Sequence, residues 1–169
     1  ENKIEEKITA KTKAILPVHV FGYPCDMEKI NDISRKHGLS VIEDACEAIG
    51  AKIGKKKAGT FGRCSVFAFY PNKQMTTGEG GMIVTDDPEI CRLAKSMRNQ
   101  GRDDGMEWLA HRRLGYNYRL SDINCALGIS QLSRLEKNLN KRKKVAALYH
   151  RYLSDNKDVV LPPNGSGRI

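Results

Sequence analysis

The sequence has no apolar run longer than a strand, so no segment of it suits a bilayer-spanning helix. Its first residues, Glu1-Asn2-Lys3-Ile4-Glu5-Glu6-Lys7, are charged and offer no apolar stretch of the signal-peptide kind. Five cysteines, Cys25, Cys46, Cys64, Cys91 and Cys125, stand singly with no Cys-x-x-Cys pair. That argues against a zinc site or a disulfide framework and fits a reducing, cytoplasmic setting. His37, His111 and His150 lack metal-ligand spacing. Aromatic residues make up 7% of the chain, too few to suggest a base-stacking platform. Gly78, Gly80 and Gly81 follow a lysine instead of leading to one, an order that fits neither a Walker loop nor a dinucleotide fingerprint.

What is present is a chain of 169 residues, 40% hydrophobic and 29% charged, as expected of a globular protein with an ordinary core. The net charge is +9, densest at Lys55-Lys56-Lys57 and Lys141-Arg142-Lys143-Lys144. Nucleic-acid binding is one reading of such runs, and it would show as steeply salt-dependent duplex binding. Solvated surface segments are the simpler reading, and attraction of an anionic small substrate such as a nucleotide diphosphate is a third. The expectation is a small-molecule partner, with neither nucleic acid nor membrane.

Apolar and polar spacing places the elements. Ala14–Val20 reads as a buried strand broken by Gly22-Tyr23-Pro24. Asp26 caps a helix whose Met27, Ile30 and Ile33 keep helical spacing, and Gly38 ends it. Ser40-Val41-Ile42 is the next strand, and this strand–helix–strand order marks a parallel sheet. Ser65–Tyr70 and Met82–Thr85 are further strands, and Asp86-Asp87-Pro88 opens a helix to about Arg98. Residues 99–119 read as a functional loop, with Trp108 as a lid or a packing anchor. Ser121 opens one long helix striped by Cys125, Ile129, Leu132, Leu135 and Leu139, with Val145, Leu148, Tyr152 and Leu153 keeping the spacing. Residues 162–167 read as a linker-like tail.

Chemistry concentrates at two strand ends. Phe67–Tyr70 runs into a turn that delivers Lys73, with glycines directly behind it. The strand at Val41-Ile42 ends on Glu43 and Asp44, which point to opposite faces, so only one of them can face a shared site. A lysine and a carboxylate on neighbouring strand ends suit pyridoxal phosphate: the amine forms a Schiff base, and the carboxylate keeps the pyridine nitrogen protonated. A surface lysine on a turn is the plain alternative. Glu47 reaches the same site if the chain turns helical after the strand, and otherwise is a solvated acid. His19, at a strand end, is a candidate for touching substrate, against the plainer reading of a core histidine. Arg112, Arg113 and Arg119 are candidate partners for a diphosphate, Arg119 first among them.

Three ordered motifs carry a family resemblance: Ile42-Glu43-Asp44-Ala45-Cys46-Glu47-Ala48, then Phe69-Tyr70-Pro71-Asn72-Lys73 with Gly78-Glu79-Gly80-Gly81-Met82, then Leu114–Ile123. With Pro17–Gly22, they resemble the DegT/DnrJ/EryC1/StrS family of nucleotide-sugar aminotransferases over nearly the whole chain. The resemblance implies an α/β fold, a three-layer α/β/α arrangement with a mainly parallel sheet, as in the large domain of fold type I pyridoxal phosphate enzymes. It implies a partial large domain over 1–138, and over 139–169 a connecting helix with the start of a small C-terminal domain.

The resemblance also implies that Lys73 is the catalytic lysine and carries the cofactor. Asp44 matches the acid at the pyridine nitrogen and Glu47 a position near the ring hydroxyl. Asn117 matches an asparagine that reaches the cofactor phosphate of a neighbouring subunit, hence a homodimer with shared sites. The implied partners are glutamate and a nucleotide-diphosphate-linked keto sugar. Dehydratase relatives carry histidine in place of the lysine, so Lys73 favours transamination. Two departures stand out. Ala68 occupies a position where a phosphate-binding serine is frequent, and the chain is about half the length expected, as if it were a central segment. The alternative is therefore a truncated, non-catalytic module.

Overall fold

Pro17 decides how the sheet begins. It lacks an N–H for a strand ladder, and strand β1 is only Ala14–Ile15. Beyond it the chain touches the sheet once more, at a Val18–Asp44 bridge, and then folds into a tight 3-10 turn at Val20–Gly22. The long first strand expected from the apolar run is thus cut to two residues. The computed structural model describes residues 1–107 and 109–162; Trp108 and the tail from 163 lie outside the described residues.

Helix α1 (Met27–His37) forms where its caps predict. The Asp26 carboxylate accepts from the Lys29 amide at 3.2 Å, and Gly38 takes the left-handed conformation that closes the last turn. Strand β2 (Ser40–Asp44) follows, then a short hairpin of β3 (Lys52–Ile53) and β4 (Lys56–Lys57), then β5 (Cys64–Ala68) and β6 (Gly81–Val84). The four-stranded sheet has the order β1-β2-β5-β6. β1 and β5 both run parallel to β2, and β6 returns antiparallel to β5. The chain is therefore mixed α/β with a mostly parallel sheet, as expected, and among the described residues it has four α-helices.

The core sits where α1 meets β2: Met27, Ile30 and Val41 are buried, with Ile4, Ile15, Cys25, Ile53 and Phe61 packed around them. A second small cluster joins Ala45, Ala48 and Ala58 to Phe67. Helix α2 (Pro88–Arg98) is capped by Asp87, with proline in its first turn.

The single long helix expected from Ser121 is two helices, α3 (Asp122–Leu132) and α4 (Leu135–Leu153). The break has a chemical cause. The Ser133 hydroxyl and the Arg134 guanidinium both donate to the Ser130 carbonyl, at 2.9 and 3.1 Å, and the Arg134 amide bonds Gln131 instead. α4 runs without interruption through residues 138 and 139. Among the described residues no helix is long and apolar enough to cross a membrane.

Candidate active site

The two acids at the end of β2 do different work. Glu43 is fully buried and shares the Val41 face of the strand. Its carboxylate accepts from the Gly59, Phe61 and Gly62 amides at 2.8, 2.5 and 2.6 Å and from His19 Nε2 at 3.0 Å. Burial pushes the Glu43 pKa up, but His19 and the three amides overcome it, and the net shift is downward. His19 is likewise fully buried, and the Cys25 amide donates to its Nδ1 at 3.2 Å. Burial lowers the ring's proton affinity, and contacts with Cys25 and Glu43 more than offset that. Both ring nitrogens are taken and no surface is left for a substrate, so His19 is a core histidine in this structure.

Asp44 lies on the opposite face, half-buried, with Oδ1 accepting from the Cys46 amide at 3.1 Å. Past it the chain makes tight turns, with Ala48 bonded back to Ala45 and Ala51 to Ala48, and not a helix. These turns bring Glu47 to Lys73. From the other side, β5 ends at Ala68 and a wide loop follows, closed at its base by Phe69–Gly80 and Thr77–Phe69 amide–carbonyl bonds of 2.8 and 2.9 Å. Inside it the Lys73 amide bonds the Tyr70 carbonyl at 3.0 Å, a turn whose second residue is Pro71.

Lys73 Nζ donates to Glu47 Oε1 at 3.0 Å. The other oxygen, Oε2, accepts from the Phe21 amide at 2.7 Å. That amide first, and Lys73 second, hold the Glu47 carboxyl below the usual range. The charges of Asp44 and Lys73 both bear on Glu47 and on the Cys46 thiol; among the described residues Lys73 is joined to Glu47, and Asp44 to the Cys46 amide. Burial, then Asp44, raises the Cys46 thiol to about 11, so it stays protonated near neutrality and does not compete as a nucleophile. The Gln74 side-chain amide donates to the Glu47 carbonyl, and its Oε1 is the buried side-chain acceptor without a partner among the described residues. Arg142 of α4 donates to the Lys73 carbonyl at 3.4 Å, so one residue of the basic run touches the lysine turn.

The 99–119 loop is folded back on the end of α2. Tyr116 bonds Met97, Tyr118 bonds Arg98, and the Gln100 amide bonds the Tyr116 carbonyl, at 2.7, 2.9 and 2.9 Å. Tyr116 and Tyr118 stack with ring centroids 4.9 Å apart. Between them Asn117 is exposed, and its Oδ1 accepts from Arg119 Nε at 2.8 Å. Among the described residues the amide NH2 of Asn117 has no hydrogen-bond partner. Among the described residues no hydrogen bond or ion pair links Asn117 or Arg119 to Asp44, Glu47 or Lys73. Arg113, a diphosphate candidate, is committed to Asp103 and Ser96.

Arg113 above all, then Ser96, holds Asp103 down at about 2. A depressed carboxylate pKa stabilises the fold above the usual carboxylate range and loses that contribution as pH falls toward 2. Asp103→Asn is accordingly expected to loosen this loop at neutral pH, seen as faster amide exchange over 99–119 with α1 unchanged. Equal exchange in variant and wild type would refute the assignment.

Phe21, Cys46 and Gln74 had no periodic signal to mark them. The Phe21-Gly22 pair directly behind a strand was the available clue, since it permits a left-handed turn.

Comparison with known proteins gives a consistent picture. Residues 1–166 match the DegT/DnrJ/EryC1/StrS aminotransferase family. The chain is 44% identical over 153 residues to GDP-perosamine synthase of Caulobacter vibrioides, covering 90% of this chain and 41% of that protein. It superposes on Helicobacter pylori PseC, an aminotransferase involved in the biosynthesis of pseudoaminic acid, with a TM-score of 0.86 and 36% identity, over 91% of this chain and 42% of that one. It also superposes on Escherichia coli GDP-4-keto-6-deoxy-D-mannose-3-dehydratase with bound hydrated PLP, with a TM-score of 0.83 and 32% identity, over 92% and 44% of the two chains. The chain spans about two fifths of the length of the curated relative it matches.

Proposed function

Because the chain belongs to the DegT/DnrJ/EryC1/StrS aminotransferase family, we propose that it carries the cofactor-binding core of an enzyme moving an amino group from glutamate to a nucleotide-diphosphate-linked keto sugar. The observation that carries this reading is the Lys73–Glu47 contact beyond the ends of two neighbouring parallel strands, the first of which ends on Asp44. The donor set suits pyridoxal 5'-phosphate: one amine, one carboxylate on the opposite face from the structural acid, and a thiol held inert beside them. Ala68 offers no hydroxyl to a phosphate, so that group would be held by other residues.

When bound, the cofactor supplies an electron sink for the carbon that loses its proton. The rest falls to side chains. Lys73 would hold the cofactor through its amine and would be the base that moves a proton from the donor's alpha carbon. Asp44 would be the carboxylate that holds a proton at the pyridine nitrogen. Glu47 holds the Lys73 amine in place and is itself fixed by the Phe21 amide.

Asn117 and Arg119 belong to this reading through a second copy of the chain. The NH2 of Asn117 suits a phosphate in a neighbouring subunit, and Arg119 adds positive charge for phosphate or diphosphate. The assembly would be a cytoplasmic homodimer, with the large-domain part over 1–138 and the start of a second domain over 139–169.

The test is chemical mapping. Pyridoxal 5'-phosphate is added, the imine is reduced with borohydride, and the modified peptide is identified. Modification at Lys73 is expected; modification spread over the surface lysines with Lys73 spared would overturn the proposal.

A further inference from the structure

Phe21 stands out among the groups around Lys73. Its backbone is left-handed, φ 56 and ψ 21, a conformation costly for an L-residue and favourable for glycine. The residue is 92% exposed, so no packing among the described residues offsets that cost. The turn is nevertheless fixed from every side. His19 anchors one end in the core through Glu43, and the Gly22 amide bonds the His19 carbonyl at 3.2 Å. The Phe21 amide is held by Glu47 Oε2 at 2.7 Å. Gly22, at φ +81, leaves no room for a side chain, because a Cβ there would lie 2.9 Å from the Glu47 carbonyl oxygen. A strained residue that its surroundings over-determine is a sign of function.

Its neighbour indicates which function. Glu47 bonds the Phe21 backbone amide with one oxygen and Lys73 with the other, so one carboxylate links the backbone that carries the exposed aromatic to the amine. Phosphates and nucleotide phosphodiesters call for cations, which this turn lacks. An aromatic face suits the C–H face of a sugar ring. We propose that Phe21 is a specificity residue, its ring the platform on which the hexose of a nucleotide-linked sugar stacks while the sugar's carbonyl carbon faces Lys73. This rests on the functional reading above and adds the residue that recognises the sugar.

Phe21→Gly is the decisive variant, since glycine relieves the left-handed strain while deleting the ring. Cofactor-loaded protein is titrated with GDP-mannose against GDP and with UDP-N-acetylglucosamine against UDP. The variant is expected to melt at the wild-type temperature or above, to bind at least one sugar nucleotide about tenfold more weakly, and to bind the sugar-free diphosphates unchanged. Phe21→Tyr should restore sugar binding. The proposal is overturned if sugar nucleotides bind wild type no more tightly than their diphosphates, or if sugar and diphosphate weaken equally. Unchanged binding, with or without a change in oligomeric state, also overturns it. Lys73 mapping separates the two readings: a modified Lys73 with sugar binding indifferent to Phe21 removes only this inference, and an unmodified Lys73 removes both.

Discussion

Glu43→Gln is expected to destabilise the fold by about 3–5 kcal/mol, the cost of breaking a buried charge network by altering one partner. Four donors converge on that carboxylate, three amides and the His19 ring, and it has no exposure to water. A glutamine offers a single acceptor oxygen and turns an NH2 toward donors, leaving buried N–H groups unpaired. For a chain of this size the melting temperature should drop by roughly 10 °C. The pH dependence gives a second readout. The Glu43 pKa is lowered in the fold, chiefly by His19 and the Gly62 amide against the upward push of burial. Its contribution is therefore complete above the usual carboxylate range and fades as pH falls through it. The glutamine variant should show a flatter acid limb. A denaturation midpoint equal to wild type, with the acid limb intact, would mean the network is not what holds this corner of the fold.

Lys73→Ala is expected to do the opposite: remove the chemistry and spare the fold. Its one side-chain partner in the structure is Glu47, both are partly open to solvent, and such a pair contributes at most about 1 kcal/mol. The absorbance band that pyridoxal phosphate develops on forming an imine should vanish entirely. Keto-acid release from glutamate should fall by a factor of about 100 to 10,000 through loss of the proton-moving base alone. The denaturation midpoint should stay near the wild-type value. Retention of the band would place the reactive amine on another lysine and remove the basis of the proposed mechanism. Absence of the band in wild type as well would favour a non-catalytic module.

Much of this was legible before any coordinates. α1 and α2 are bounded by local chemistry, Asp26 with Gly38 and Asp87 with Pro88, and local chemistry can be read from a string. β2 and β5 carry enough β-branched and aromatic residues to announce themselves, with ends off by a residue or two. That Glu43 and Asp44 point to opposite faces followed from alternation, while Glu47 was expected near Lys73 only if the chain turned helical after β2, and tight turns bring it there instead. The failures share a cause. The break between α3 and α4 arises from two side chains competing for one carbonyl, while the apolar stripe runs on across it unchanged. The partnership of His19 and Glu43 spans 24 positions, and that of Phe21 and Glu47 spans 26, so no window of the sequence contains either. Left-handed backbone at Phe21 is imposed by those distant partners, not by its own preferences.

On the proposed function, strand β2 writes maintenance and reactivity on alternate letters. Because consecutive side chains leave a strand in opposite directions, the alignment of β2 with β5, Glu43 beside Ser65 and Asp44 beside Val66, is what assigns each acid its job. Sliding that alignment by a single position would swing the structural acid out toward the reaction space and bury the reactive one among amides. On the proposed reading, a one-residue insertion within β2 would thus strike folding and chemistry together.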